Sequence, residues 1–508
     1  MNSPGPYLTK SRYIDGLRCP RKLWFDAYDP LPRHNPDPFS PLDVGIRVGK
    51  GAHQLFPGGV EVEEAPWKHD EAVQTTKTLI EDSDVPAIFE AAFDYRNIRI
   101  RIDVLERRLG NSWGIREVKS STGFKKEKFH LEDVAVQLYV TRGAGLNITS
   151  LELIHINSDY VRGYGDIEWS SFFHRFELTK EANAYLGAVA DHIPQLLKVL
   201  NTAVPPDVYP TKGRCHNPYR CDYWDRCISD KPNDWIACLP RVNRKKLMQL
   251  NLQGIESIRK IPVGFKLSDR QLFVRDVVAS GIPHISSDLN EGLKECGPPT
   301  YYMDFETMNP GIPVYPGTKP YKEHIPFQWS LHLVDEDQTL HHWDFLSEGS
   351  IDPRREFAES LIRAVKLPNI PILVYNASTE IGILKALAQM FPDLANNLSR
   401  ITANVVDLLA ILRKQVCYPE FFTKKSLNSG AYSIKNILPV LVPAMSYEGL
   451  EGVAEGQKAS QVFTGTVCDA YSPEEVQKLR RKLLIYCEQD TLAMVEVHRH
   501  LSAIESRY

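Results

Sequence analysis

Residues 98–119 read IRIRIDVLERRLGNSWGIREVK. From Ile98 to Val104 apolar and charged residues alternate, the period of a strand with one buried face. Gly110-Asn111-Ser112 turns the chain into a further run, Trp113 to Lys119. Upstream, Ile88-Phe89-Glu90-Ala91-Ala92-Phe93 supplies a partner strand, joined around Tyr95-Arg96-Asn97. Helices are expected before this hairpin; after it come a helix over roughly Glu127–Thr141 and a strand over Leu151–Ile156. Asp103 is expected to end its strand. Glu117 and Lys119, two residues apart, share one face of the next strand and point towards Asp103. Taken alone, the triplet reads equally well as a cross-strand ion pair.

The rest of the chain sets the frame. Its 508 residues suit about three domains, read as 1–232, 233–298 and 299–508. With 43% hydrophobic and 24% charged residues the composition is that of a globular protein. The opening MNSPGPYLTKSRYIDGLRCPRK has no apolar segment, and no apolar run approaches the roughly 18 residues of a membrane span, so a cytoplasmic protein without membrane contact is expected. A net charge of −4 argues against a uniformly basic coat but leaves local patches open. Lys125-Lys126-Glu127-Lys128 and Arg244-Lys245-Lys246 are such stretches, and charge alone makes them solvated faces. Residues Leu247 to Ile261 look like two short helices around Gly254, read as a connecting subdomain in preference to a helix-hairpin DNA-binding element.

Asp103 followed by Glu117-x-Lys119 in this strand order resembles the PD-(D/E)XK nucleases, and the surroundings resemble their RecB/AddB-type and CRISPR-associated iron–sulfur branch. The resemblance implies a restriction-endonuclease-like fold. It also implies Mg²⁺ or Mn²⁺ held by Asp103 and Glu117 with His53 as a further ligand, Lys119 as the catalytic ammonium and Gln137 as a substrate-side glutamine. The tyrosine that accompanies this glutamine four residues on is absent: position 141 is Thr. Cys215, Cys221 and Cys227 follow at C-x5-C-x5-C, with Cys19 far upstream. Four thiolates suit a [4Fe–4S] cluster or a structural Zn²⁺; spacing leaves the two open, and the resemblance favours the cluster.

A second carboxylate pattern begins at Tyr301-Tyr302-Met303-Asp304-Phe305-Glu306-Thr307, where Asp304 and Glu306 share one strand face. Strands at Phe327–Val334, His341–Phe345 and Ile372–Tyr375, helices at Arg354–Val365 and Ile381–Met390 and a last helix at Pro473–Leu501 make an α/β pattern. Asn376 to Glu380 opens a helix, and Tyr486 and Asp490 stand at i and i+4. Together these resemble the DnaQ-like DEDD 3′–5′ exonucleases on an RNase H-like fold, with Tyr486 marking the tyrosine subtype. The resemblance implies Asp304, Glu306 and Asp490 as metal ligands, Glu380 at the second motif where Asp is usual, and Thr307 near the 3′ end of the substrate. Asp407 is read as supportive rather than a ligand.

The whole chain looks like a bacterial family that fuses these two nuclease-like regions. The resulting expectation is a metal-dependent nuclease acting on free-ended or single-stranded DNA, in repair, recombination or defence against foreign DNA. The alternatives are a nucleic-acid-binding scaffold with one or both sites inactive, and an RNA-trimming exonuclease.

Overall fold

The structure, a computed structural model, describes residues 7–32, 35–125, 129–447 and 456–505. The chain is mixed α/β and divides into two compact units. One comprises Met1–Ser229 with Pro310–Lys322, the other Asp230–Asn309 with Glu323–Tyr508. No helix among the described residues is long and apolar enough to cross a membrane.

In the first unit, helices α1 (Lys10–Arg18), α2 (Pro20–Tyr28), α3 (Pro41–His53) and α4 (His69–Glu81) precede an antiparallel meander of β1 (Ala87–Tyr95), β2 (Ile98–Arg108) and β3 (Ser112–Lys119). Arg96 and Asn97, between β1 and β2, both have positive φ (47° and 62°), as a two-residue type I′ hairpin requires. Helix α5 (His130–Gly143) crosses over to β4 (Ile148–Ile156), which runs parallel to β3; β5 (Phe173–Glu177) pairs antiparallel with β4, and α6 (Thr179–Leu200) follows. Two-residue strands complete the sheet: Val60–Glu61 beside β1, and Leu8–Thr9 parallel to the start of β2.

β2 continues past Val104 to Arg108, so Asp103 lies within its strand rather than at the end. Leu105 is buried between Ile88 and Ile115, and the Arg116 guanidinium pairs with Glu106 at 2.6 and 2.8 Å, which extends the β2–β3 ladder. Residues 126–128, with the start of the expected helix and most of the basic Lys125–Lys128 stretch, lie outside the described residues. The 310–322 segment joins this unit through the Arg162 N–H to the Thr318 carbonyl (3.0 Å) and the Gly317 N–H to the Arg162 carbonyl (2.8 Å).

In the second unit, α7 (Arg244–Leu252) stops before Gly254, which takes φ +70°; a single 3₁₀ turn, Ile258–Lys260, follows in place of a second helix. After α8 (Asp269–Ser280) comes a five-stranded sheet. Its members are β6 (Thr300–Met308), β7 (Ile325–Val334), β8 (Leu340–Leu346), β9 (Ile372–Val374) and β10 (Val405–Asp407), in the order β8-β7-β6-β9-β10. The first three are antiparallel; β9 and β10 continue parallel to β6. Helix α9 (Arg354–Ala364) joins β8 to β9, and α10 (Ser378–Met390) and α11 (Ala395–Ala403) join β9 to β10. Then α12 (Leu408–Gln415), α13 (Ile434–Leu441), α14 (Gly456–Val467) and α15 (Pro473–Glu505) close the unit.

Strand alternation separates core from chemistry in β6. Tyr301, Met303 and Phe305 bury with Trp329, Leu331, Leu333 and Phe357 in one apolar cluster. Tyr302, Asp304 and Glu306 therefore turn to the other face, where the Tyr302 hydroxyl meets His498 Nδ1 of α15 at 2.7 Å.

Candidate active sites

The first carboxylate set is built on β3 and the crossover helix. Glu117 is buried, and Asp103, next in register after the Val104–Arg116 pair, accepts the Val118 N–H at 2.7 Å. Lys119 Nζ reaches Glu117 Oε1 at 2.5 Å and Asp133 Oδ2 at 2.6 Å. Asp133 stands in the first turn of α5. One turn later, Gln137 Nε2 donates to Glu117 Oε2 at 2.7 Å and to Asp133 Oδ1 at 3.1 Å. Gln137 is fully buried and ties these two carboxylates together.

Lys10 completes the set. Leu8–Thr9 adds to β2, the Thr9 hydroxyl caps α1 by accepting the Arg12 N–H (3.1 Å), and the next side chain enters the acidic cluster. Its Nζ lies 2.9 Å from Glu117 Oε2, 3.6 Å from Asp133 Oδ1 and 3.8 Å from Asp103 Oδ1. Burial works against the Lys10 charge, but Asp133, Glu117 and Asp103 together hold its pKa well above the usual lysine value. Burial, with Asp103 and Asp133 beside it, pushes Glu117 up to about 7. For Asp133 burial is outweighed by Lys10 and Lys119, and the carboxyl is held below its usual range. Glu90 adds to the negative field: it falls opposite Asp103 in the β1–β2 register, with a strained φ of +56°.

Three carboxylates converging on one ammonium are a donor set for a hard divalent ion, with that ammonium occupying part of the same space. His53, the last residue of α3, stacks on Phe89 (ring centroids 3.8 Å apart, interplanar angle 3°). Burial lowers its pKa, and its charged neighbours are Glu61 and Lys50. The structure does not draw it into the contacts that join Asp103, Glu117 and Lys119.

The four cysteines do converge. Cys19, at the α1–α2 junction, lines one small cavity with Cys215, Cys221 and Cys227, beside Arg18, Lys22 and Trp224. None of the four is paired in a disulfide. Burial raises the Cys215, Cys221 and Cys227 thiols, the last to about 11. Among the described residues no three of these sulfurs lie within 4.8 Å of one another.

The second carboxylate set is tighter. Asp304 and Glu306 on β6 and Asp490 on α15 place carboxylate oxygens within 4.8 Å of one another. Burial, then Asp490 and Glu306, lifts Asp304 well above the carboxylate range; burial and Asp490 lift Glu306 to about 8. Such mutual elevation marks carboxylates that lack compensation, as a divalent cation would supply. Neutral donors contact them, and the Lys435 ammonium acts on Glu306 and Asp490 through space. The Tyr447 hydroxyl donates to Asp490 Oδ1 at 2.6 Å, and Cys487 Sγ lies 3.8 Å from Asp304 Oδ2. Tyr486, one turn before Asp490, is buried and meets Lys435 Nζ at 3.1 Å. Burial and the neighbouring carboxylates hold its hydroxyl protonated.

Glu380, in the first turn of α10, is buried with Oε2 unpaired, and burial pushes it to about 7. It acts electrostatically on Asp304 and Glu306 but stands outside the group of three. Thr307 follows Glu306 and, by strand alternation, turns to the opposite face. Asp407 caps α12 by accepting the Ala410 N–H and also accepts the Asn376 N–H, both at 3.2 Å.

Sequence reasoning missed Lys10, Asp133, Glu90 and Tyr447 as members of these sets. Only Asp133 had a local signal, its i, i+4 spacing from Gln137. A family described as a domain of unknown function (DUF2779) matches residues 301–426, which include Asp304, Glu306, Glu380 and Asp407. No curated protein matches the chain.

Proposed function

We propose that the chain is a metal-dependent nuclease whose second unit carries a 3′–5′ exonuclease-type site and whose first unit carries a PD-(D/E)XK-type site. The observation that carries this reading is the convergence of Asp304, Glu306 and Asp490, with Tyr486 one turn before Asp490. Three antiparallel strands continued by parallel strands and helices support an RNase H-like fold for that unit. A meander followed by a crossover helix, with Glu117 and Lys119 on one strand, supports the restriction-endonuclease-like fold for the other.

Bound at these carboxylates, Mg²⁺ or Mn²⁺ would supply Lewis-acid stabilisation of phosphoryl oxygens and activation of water. The residues themselves do the rest. In the second unit, Asp304, Glu306 and Asp490 provide the hard oxygen donors. Tyr486, kept protonated and fixed by Lys435, orients the attacking water as a hydroxyl. Water adds to phosphorus and the bond to the 3′ oxygen breaks, leaving a 3′-hydroxyl and a 5′-phosphate. In the first unit, Lys119 stays an ammonium and offsets charge developing on the phosphate, while Gln137 and Asp133 fix Glu117. The four-cysteine cavity would hold a [4Fe–4S] cluster as a structural tie between α1–α2 and the 215–227 segment.

The test uses end-labelled DNA and RNA side by side with Mg²⁺ or Mn²⁺. Asp304→Ala should abolish stepwise 3′ degradation and spare any activity lost in Lys119→Ala. If each variant leaves all hydrolysis unchanged, both assignments fail; preference for RNA would make the chain an RNA-trimming enzyme. Anaerobically purified protein should be brown, and a colourless preparation with stoichiometric zinc rejects the cluster. One observation favours a binding scaffold at the first site, the ammonium of Lys10 among its carboxylates. Binding of DNA without any cleavage that depends on Lys119 would establish it.

A further inference from the structure

A second group of potential ligands lies on the same sheet face as Asp304, between β7, β8 and α15. His332 of β7 and His342 of β8 are direct cross-strand partners, with ring centroids 4.4 Å apart. One ring nitrogen from each and a carboxylate oxygen of Glu488 on α15 lie within 4.8 Å of one another. Glu488 falls between Tyr486 and Asp490 in sequence. Helical geometry turns it away from them and towards Thr491, three residues on.

The hydrogen bonding around the two rings is what sets this group apart from a chance pairing. His342 Nε2 lies 2.9 Å from Ser330 Oγ, Ser330 Oγ lies 2.8 Å from Thr491 Oγ1, and Thr491 Oγ1 lies 2.8 Å from His332 Nδ1. The Thr491 hydroxyl also reaches the Glu488 carbonyl at 3.0 Å. One consistent proton arrangement satisfies the network. Both rings donate, His342 to Ser330 and His332 to Thr491; Ser330 donates to Thr491, and Thr491 to the carbonyl. Both imidazoles are then neutral, with the lone pairs of His332 Nε2 and His342 Nδ1 left for a ligand. His342 Nδ1 stands 3.9 Å from Glu488 Oε1, too far for a hydrogen bond and close enough for both to close on a shared ion. Burial, His342 and Arg499 depress His332 to about 3, consistent with a ring held neutral. Arg499, the cation on this side, is engaged with Glu496 at 2.6 Å.

We propose that His332, His342 and Glu488 form a separate site for a zinc-class divalent ion. Imidazole donors select such ions over Mg²⁺, and hydroxyls that fix the ring orientation are the outer shell such sites use. Three protein ligands leave a fourth position for water. The site joins β7 and β8 to the helix that carries Tyr486 and Asp490, so the ion would fix the position of that helix. The proposal does not depend on whether the carboxylate sets hydrolyse anything.

The full chain, stripped with chelator and titrated with Co²⁺, tests it through visible absorption and the spin-echo signature of coordinated imidazole nitrogen. We expect one equivalent of imidazole-coordinated Co²⁺ that is lost in His342→Ala and retained in Asp304→Asn. Ser330→Ala should weaken it by about 10- to 100-fold, as loss of an outer-shell partner does. Glu488→Gln, at a half-exposed position, should also weaken it, and decides the matter if His342→Ala fails to fold. No imidazole-coordinated ion in the parent protein, no loss in the His342 and Glu488 variants, or loss in Asp304→Asn would each overturn the proposal.

Discussion

The two carboxylate sets face the same electrostatic problem and meet it differently. In the first unit, lysine ammonium groups sit directly on the acids: Lys10 and Lys119 both contact Glu117, at 2.9 and 2.5 Å, and Lys119 contacts Asp133 at 2.6 Å. In the second unit the partners described above are a phenol, a thiol and a tyrosine-bound lysine, and the carboxylates push one another's pKa upward. Several buried acids cannot all ionise without compensation. The first set carries compensation within the chain, so a divalent ion there must compete with Lys10. The second set has only the through-space effect of Lys435 on Glu306 and Asp490, and otherwise relies on protons or on an added cation, so a divalent ion there should meet less competition.

The largest effect should come from removing the internal cation. Lys10→Met leaves Asp103, Glu117 and Asp133 with Lys119 alone, and breaking a buried ion pair costs on the order of 3 kcal/mol. Chelator-treated protein should show the transition of the first unit destabilised by about that amount, with Mn²⁺ restoring most of it. Mn²⁺ affinity at this set, measured by calorimetry, should rise by about tenfold if Lys10 competes with about 1.4 kcal/mol of free energy. An unchanged affinity would mean that the ammonium and the ion occupy different places, and the contrast between the sets would lose its basis.

The second set should show the opposite response. Mn²⁺ at about 100 times its dissociation constant stabilises a site by about 2.7 kcal/mol, and Asp304→Asn should abolish that gain in the second unit. The same substitution replaces an acid that has to take up a proton on folding when no metal is bound, so the metal-free protein should become more stable at neutral pH, not less. Thermal melts with and without chelator measure both. A metal-induced shift that survives Asp304→Asn and disappears in Glu117→Gln would reverse the comparison.

How legible the two sets were in sequence follows the same divide. Asp304 and Glu306 share a face through strand alternation, and Tyr486 and Asp490 through helical spacing; such patterns are local. The meander carrying Asp103, Glu117 and Lys119 was legible for the same reason. Lys10 was not, because it reaches Glu117 only after Leu8–Thr9 has paired with a strand some ninety residues away. Tyr447 arrives from a segment outside regular secondary structure, where no periodicity exists to read. The end of β2 was misjudged because Leu105-Glu106-Arg107-Arg108 breaks the alternation, and only the buried Arg116–Glu106 pair shows why the ladder continues.

The pH response separates the sets further. Glu306 is raised to about 8 and Glu380 to about 7, against an ordinary value of 4.5. A carboxyl raised on folding favours the protonated folded form, so its stabilising contribution is complete below about 4.5 and is lost as pH climbs through about 8. Metal-free protein should therefore lose stability in the second unit across that window. Mn²⁺ binding, which needs the ionised acids, should strengthen over the same range. Denaturation in chelator at stepped pH, repeated with Mn²⁺, checks both slopes. In the first unit Glu117, at about 7, should give a shallower slope, because Lys10 and Lys119 remain charged throughout.

The smallest effect isolates the neutral shell of the second set. The Tyr447 hydroxyl donates to Asp490 at 2.6 Å, a hydrogen bond that favours the ionised carboxylate. A bond to a charged group contributes about 1.5–3 kcal/mol, but Tyr447→Phe should cost less in metal-free protein, where Asp490 can take up a proton instead. With Mn²⁺ present that escape closes, because a protonated Asp490 is a poorer ligand. The substitution should thus lower Mn²⁺ affinity more than it lowers chelator-treated stability, and the gap between the two should shrink as pH rises and Asp490 ionises unaided. Equal losses in both states at every pH would show that Tyr447 acts through packing alone. The second set would then lean on its cation even more heavily than the comparison with the first requires.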